Sequence, residues 1–176
     1  MSAGAASSLH GAQVVSWQPA PGRERLYLSP RASHAAGKAI RGGIPVIFPQ
    51  FAGRGEMIKH GFARLLVWQF RGIEHHVAPA PAAVFELLDA PATHAHWPSR
   101  FQARLHVALA PSCIEVGLEI HNTDDAPFAF TAALHTYLRV DELMDTSLHG
   151  LEAAPYLDSA RGEASMPASG DAVAFG

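Results

Sequence analysis

The sequence predicts an all-β chain, a large antiparallel β-sandwich, and three observations carry that prediction. Residues 101–109 and 114–120 alternate apolar and polar with a period of two, the pattern of strands with one buried face. Thirteen Pro and fifteen Gly fall in short clusters between apolar runs, a turn density that suits many short strands. No segment holds a long, clean helical period, and no internal repeat is visible.

Taken in order, residues 13–17 (QVVSW) lie between Gly11 and the turn sequence PAPG and read as a strand. Leu26, Tyr27 and Leu28 form a second, stopped by Ser29 and Pro30. Residues 65–70 (LLVWQF) are rich in strand formers and are expected to be a buried strand. A Pro/Ala link over residues 78–81 leads to a strand over residues 83–88. Phe101, Ala103, Leu105, Val107 and Leu109 share one face of the next strand, with Gln102, Arg104 and His106 on the other. After a turn at residues 110–113, Ile114, Val116, Leu118 and Ile120 alternate with polar residues, which gives an antiparallel hairpin with one apolar face. Residues 122–127 (NTDDAP) are a turn by composition. Residues 128–140 follow as a long strand or strand pair, with Leu134 on one face and His135, Tyr137 and Arg139 on the other. The tail from Asp158 is poor in large apolar residues and ends on Val173-Ala174-Phe175-Gly176, a strand just beginning. The expectation is one incomplete sandwich domain over residues 1–176, truncated so that its C-terminal strands are missing.

The totals narrow the function classes. At 176 residues, 48% apolar and 16% charged, the chain can bury a substantial core. A net charge of -3 without a basic block argues against nucleic acid. No apolar run approaches a membrane span, and the first residues lack the basic and apolar regions of a secretory signal. Cys113 is the only cysteine, so no internal disulfide forms, and a reducing, cytoplasmic setting is the expectation.

The chemistry gathers around residues 41–64. Arg41-Gly42-Gly43 opens this stretch, an apolar, proline-broken run follows, and His60-Gly61-Phe62-Ala63-Arg64 closes it. That is a connection anchored in a core with polar groups at both ends. Arg41 and Arg64 are candidate anion binders, because a guanidinium matches phosphate or carboxylate oxygens in a fork; a surface ion pair is the plainer alternative. His60 precedes Gly61, where backbone can approach a ligand, and its alternative is a capping or core histidine. Lys59 beside it reads as a solvated charge. His135 can act as a general acid or base, although the strand pattern alone favours a hydrogen-bonded structural role. His94 and His96 would share one face of a strand and His75 and His76 opposite faces, but no acidic ligand accompanies the first pair, so no metal site is expected.

The order of these segments resembles a known family. LHGAQVVSW at residues 9–17, Leu28-Ser29-Pro30, GKAIRGGIP at residues 37–45 and Phe48-Pro49-Gln50-Phe51 come first. HGFAR at residues 60–64, Trp97-Pro98, PFAFTAALHTY at residues 127–137, Gly150-Leu151 and Tyr156-Leu157-Asp158 follow. Together they resemble the hexose-6-phosphate mutarotases, or glucose-6-phosphate 1-epimerases, a branch of the aldose 1-epimerase superfamily. The resemblance implies a galactose mutarotase-like sandwich that interconverts the α and β anomers of a phosphorylated aldohexose, without metal or organic cofactor. A carboxylate base takes the C1 hydroxyl proton while a histidine acid protonates the ring oxygen.

By that resemblance His135 matches the catalytic histidine of the LHTY motif, and Arg41 and Arg64 match substrate-binding arginines. His60 matches the histidine beside the sugar, and Lys59 stands where the family often has a polar contact such as Gln. The family's catalytic carboxylate falls beyond Gly176, so the chain is expected to show little or no mutarotase activity. The expected partner is a hexose phosphate bound by a monomer, with neither nucleic acid nor membrane. A non-catalytic sugar- or phosphosugar-binding module and an inactive remnant are the alternatives, and a metal-dependent sandwich such as a cupin ranks last.

Overall fold

The chain opens on β1 (Gly4–Ser7), which pairs antiparallel with β2 (Val14–Gln18). The computed structural model describes residues 2–75, 80–150, 154–158, 164–166 and 173–174. They fall into two compact units, Met1–Arg139 and Val140–Gly176. His76, residues 78–79 of the Pro/Ala link, Leu151 and much of the tail lie outside the described residues. β2 is the expected strand, displaced by one residue; β1 has no β-branched or aromatic residue and depends on its pairing with β2. No helix among the described residues is long and apolar enough to cross a membrane.

In the first unit the short strand β3 (Val46–Ile47) is followed by a 3-10 turn at Ala63–Leu65. Then come β4 (Gln69–Glu74), β5 (Ala82–Leu88), the one-turn helix α1 (Pro91–His94), β6 (Phe101–Ala110), β7 (Cys113–Asn122) and β8 (Ala133–Leu134). β4, β5, β6 and β7 form an antiparallel sheet in that order. In its register Leu105 faces Phe85 on one side and Leu118 on the other. The predicted hairpin is therefore present with its predicted faces: Phe101, Ala103, Leu105 and Val107 are buried, and Ile114, Val116, Leu118 and Ile120 pack against the same core. The same core takes in Val14, Ile44, Val46, Phe48, Phe62 and Trp68, so the apolar face of this sheet is buried against short strands and turns, in keeping with the sandwich that the alternation predicts. In the second unit, β9 (Ser147–Leu148), β10 (Tyr156–Asp158), β11 (Ala164–Met166) and β12 (Val173–Ala174) form two small pairs, β9 with β12 and β10 with β11. β12 is the strand expected at residue 173.

Four expectations need correction. Residues 65–70 are not a buried strand: the 3-10 turn takes Leu65, Val67 and Phe70 are exposed, and only Trp68 is buried. The indole explains the arrangement, because its Nε1 donates to the Ala63 carbonyl at 2.9 Å and so ties this stretch to the turn. Leu26–Leu28 is not a continuous strand but two isolated bridges, Leu26 with Leu138 and Leu28 with Gly42. His94 is not on a strand: it ends α1, where Pro91 occupies the first turn and Thr93 Oγ1 accepts from the Ala90 N–H. Its Nε2 meets Asp89 Oδ2 at 2.8 Å.

Residues 128–140 are the fourth correction, and they matter most for the site. Regular strand is limited to Ala133–Leu134, yet the segment runs antiparallel to residues 43–49 over a longer distance. Tyr137 N–H donates to the Gly43 carbonyl, His135 N–H to Pro45 and Thr131 N–H to Pro49, at 2.9, 3.0 and 3.0 Å. The return bonds at positions 45 and 49 cannot form because proline has no N–H. The ladder is thus one-sided at those rungs, and the strand breaks up while its register survives.

Candidate active site

That register sets the site. Side chains alternate across an extended segment, so Pro45 and Ile47 on one segment and His135 and Tyr137 on the other share a face. All four line one open cavity of about 630 Å³ in the first unit. The opposite face, with Val46, Phe48 and Leu134, belongs to the core.

Arg41 reaches the cavity from the Gly42-Gly43 bend. A Cβ on Gly42 would run into the Tyr27 carbonyl and approach Leu28 Cα to 2.7 Å, and one on Gly43 would strike the Val14 carbonyl. Both glycines have positive φ, 110 and 62°, so close approach and backbone conformation together require glycine here. Fully buried Gln13 holds the bend from behind, with its Nε2 donating to the Ile40 carbonyl at 3.3 Å and to the Gly42 carbonyl at 2.5 Å. These carbonyls flank Arg41 in sequence.

Arg64 enters from the 3-10 turn. Gly61, with φ 64°, lets the chain pass against the Phe48 carbonyl, and the Ala63 N–H donates to that same carbonyl at 3.1 Å. Arg64 Nη2 donates to the Lys59 carbonyl at 2.9 Å, whereas its buried Nε has no protein partner. Burial lowers the Arg64 pKa and nearby Tyr137 acts in the opposite direction, but a guanidinium remains charged at neutral pH.

His60 adopts a positive φ of 72° and lines the same cavity. Its Nδ1 accepts the Ala52 N–H at 3.2 Å, which leaves the ring proton on Nε2 when the imidazole is neutral. Desolvation lowers its pKa, and the positive charges of Arg64, His135 and Lys59 lower it further. The His60 and His135 rings meet edge to face with centroids 5.8 Å apart, and His135 stacks on Tyr137 at 4.8 Å.

The cavity therefore unites four of the five residues singled out from sequence: Arg41, His60, Arg64 and His135. Lys59 is not among its lining residues; its side chain is exposed and its carbonyl serves Arg64. Sequence reasoning missed Arg31 and Lys38, which add two cations to the wall, and it gave Tyr137 no role. Tyr137 had a signal, since it lies two residues from His135 on the same strand face; Lys38 stands within the GKAIRGGIP motif, and Arg31 sits in an irregular loop with none. No acidic side chain lines the cavity among the described residues. Such a wall suits an anion, beside two imidazoles able to donate or accept protons. Among the described residues no cluster of His, Cys, Asp and Glu is arranged to hold a metal.

The chain matches the aldose 1-epimerase family over residues 2–165. It is similar to a Cenchrus ciliaris protein with the provisional name glucose-6-phosphate 1-epimerase, 38% identical over 177 residues that cover 95% of this chain and 53% of that protein. An Escherichia coli (strain K12) protein of the same provisional name is 38% identical over 149 residues, 84% of this chain and 49% of its own length. The chain thus spans about half the length of the curated relatives it matches. Among solved structures, a provisionally named mutarotase of Salmonella typhimurium superposes with a TM-score of 0.82 at 28% identity, covering 99% of this chain and 57% of that one. A galactose mutarotase related enzyme of Lactobacillus acidophilus shares the fold, with a TM-score of 0.71 at 18% identity over 99% of this chain and 63% of its own.

Proposed function

The chain belongs to the aldose 1-epimerase family, and from that premise we propose that it binds a phosphorylated aldohexose, of the glucose 6-phosphate kind, and serves interconversion of its α and β anomers. The observation that carries this reading is the cavity wall: Arg31, Lys38, Arg41 and Arg64 with no described acidic side chain, next to His60 and His135. Arg41 and Arg64 take the phosphate, where a guanidinium can offer paired donors to its oxygens. The sugar ring lies toward the imidazoles. His135 delivers a proton to the ring oxygen as the bond from that oxygen to C1 breaks, while the C1 hydroxyl loses its proton to a base. The resulting aldehyde turns about its bond to C2, and the reverse proton transfers reclose the ring on its other face. Neutral His60, with its Nδ1 engaged, offers Nε2–H to a sugar oxygen.

The family resemblance assigns the base to a carboxylate, and none of the described residues supplies one to the cavity. Binding is accordingly the part of the reaction that the described residues support. The same observation favours the second reading, a phosphosugar-binding module without catalysis.

The test pairs calorimetric titration of glucose 6-phosphate and glucose with exchange NMR of the two glucose 6-phosphate anomers. The expected result is binding of glucose 6-phosphate in preference to glucose, weakened by Arg41→Ala and by Arg64→Ala, with little acceleration of exchange. Absence of binding at millimolar glucose 6-phosphate would sink the phosphosugar reading. Fast exchange that disappears in His135→Ala would overturn the expectation of slow turnover and exclude the non-catalytic reading.

A further inference from the structure

Gln50 does not line the cavity; it borders a separate cleft together with Met57 and Trp97. It is 2% exposed, and both donors of its carboxamide are used. Nε2 donates to the Ala52 carbonyl at 3.2 Å and to the Met57 carbonyl at 3.1 Å, and Oε1 accepts the Met57 N–H at 3.1 Å. Two carbonyls face the nitrogen and one N–H faces the oxygen, so the orientation of the amide is fixed by its partners. The loop it holds is closely wrapped: a Cβ on Gly55 would strike Gln50 Oε1 and come within 3.0 Å of its Cδ.

The loop also grips His60. Ala52 accepts the His60 backbone N–H at 2.9 Å and donates its own N–H to His60 Nδ1 at 3.2 Å. Both residues have positive φ, 51° for Ala52 and 72° for His60, a conformation that side chains other than glycine adopt at a cost. Two residues in that region persist together only where their surroundings hold them. The surrounding structure here is the Gln50 carboxamide on one side and the Phe51 ring, 5.6 Å from the His60 ring, on the other.

We propose that Gln50 is a positioning residue for His60: by holding the Ala52 carbonyl it keeps the Ala52 N–H on His60 Nδ1 and so fixes the imidazole as the Nε2–H tautomer in the cavity. The inference deepens the phosphosugar reading, on which it rests for the purpose of that tautomer, but the geometry and its test involve no sugar. The surroundings agree: desolvation first, then Arg64, His135 and Lys59, favour the neutral form of His60, for which a tautomer is defined. Without Gln50, the Ala52 carbonyl keeps only the His60 N–H, and the loop is free to turn its Ala52 N–H away from the ring.

The test is nitrogen NMR of the imidazoles in the whole chain, above the pH at which His60 titrates. In the unaltered protein, His60 Nδ1 should resonate as an unprotonated ring nitrogen and Nε2 as a protonated one. In Gln50→Met, close in length but without the amide, the two resonances should move toward each other as the tautomers mix. A merely stabilising role predicts a lower unfolding midpoint with an unchanged His60 pattern, and that result, with the amide signals of β4–β7 intact, would overturn the proposal. Should Gln50→Met fail to fold, the unaltered protein decides. Slow exchange of the Gln50 side-chain amide protons, with scalar coupling across the hydrogen bond to the Ala52 carbonyl, supports the proposal; fast exchange without coupling overturns it. If glucose 6-phosphate does not bind, the functional reading fails while these spectra still decide the role of Gln50.

Discussion

His135 belongs to the segment paired with residues 43–49, His60 to the loop that follows them, and their rings meet edge to face at 5.8 Å. The approach sets a limit on charge: His60 already faces Arg64 and Lys59, and a cationic His135 adds to the same repulsion. If one imidazole is to carry the proton for a ring oxygen, His135 is the better placed, because the His60 surroundings disfavour its charged form.

That asymmetry predicts a pH effect on stability. His60 has a lowered pKa in the fold, so below its ordinary value of 6.5 the unfolded chain takes up a proton that the folded chain resists. The contribution of neutral His60 is fully present above 6.5 and is lost as pH falls through the lower folded value. Urea unfolding at a series of pH values should show stability falling on acidification through this window. His60→Asn, which tolerates positive φ and does not titrate, should flatten that part of the curve. An unchanged slope in the variant would show that His60 is not its source.

Gly61→Ala should destabilise the chain by more than about 1 kcal/mol. The new Cβ would run into the Phe48 carbonyl and come within 2.8 Å of the Pro49 nitrogen, at a φ of 64° that alanine disfavours. All the obstructing atoms are backbone, so no side-chain rotation relieves them. Denaturant midpoints compared with Gly53→Ala, where a Cβ meets nothing within 4 Å, isolate the effect.

How much of this was legible in the sequence depends on how local each signal is. The β6–β7 hairpin was readable because period-two alternation is written into the strand itself, and its buried face follows. The break-up of residues 128–140 was not, because the cause sits on another segment: Pro45 and Pro49 withhold donors from a partner more than 80 residues away. The glycine bends around Arg41 and Arg64 announced themselves, whereas the meeting of Arg41, His60, Arg64 and His135 needed either the pairing register or the likeness of ordered motifs. Arg31 reaches the wall from an irregular loop where no pattern distinguishes a cavity cation from a solvated one, and Lys38, though inside the GKAIRGGIP motif, has no periodicity that marks it as a wall residue. Gln50 stood inside a quoted motif with no role, since a buried carboxamide that braces a loop leaves no periodic trace.

Phe48 links the core to the site. Its ring is fully buried against Phe101, Trp97 and Phe130 at 5.2, 5.4 and 5.4 Å and against Phe62 at 6.4 Å, and its carbonyl receives the Ala63 N–H. Phe48→Ala should cost about 3–5 kcal/mol of stability through lost burial and the cavity left behind. Phe48→Leu should cost less and retain the Arg64 turn. Calorimetric or denaturant unfolding of the two variants checks the order.

Arg64→Lys is the sharpest test of the phosphate role. The substitution keeps the charge but loses the fork, including the Nη2 donor that the Lys59 carbonyl holds at 2.9 Å. A phosphate held only by long-range attraction would lose little, and its binding would simply weaken with added salt. A phosphate held by guanidinium hydrogen bonds should lose roughly tenfold or more, since hydrogen bonds to charged groups contribute about 1.5–3 kcal/mol each. The expected outcome is therefore a Kd for glucose 6-phosphate at least about tenfold weaker in Arg64→Lys at fixed ionic strength. Lys59→Ala, whose altered side chain lies outside the cavity wall, should change it by less than about twofold. A loss of less than about twofold in Arg64→Lys, with binding that weakens on added salt, would assign the effect to charge alone and would remove the guanidinium fork from the phosphate site.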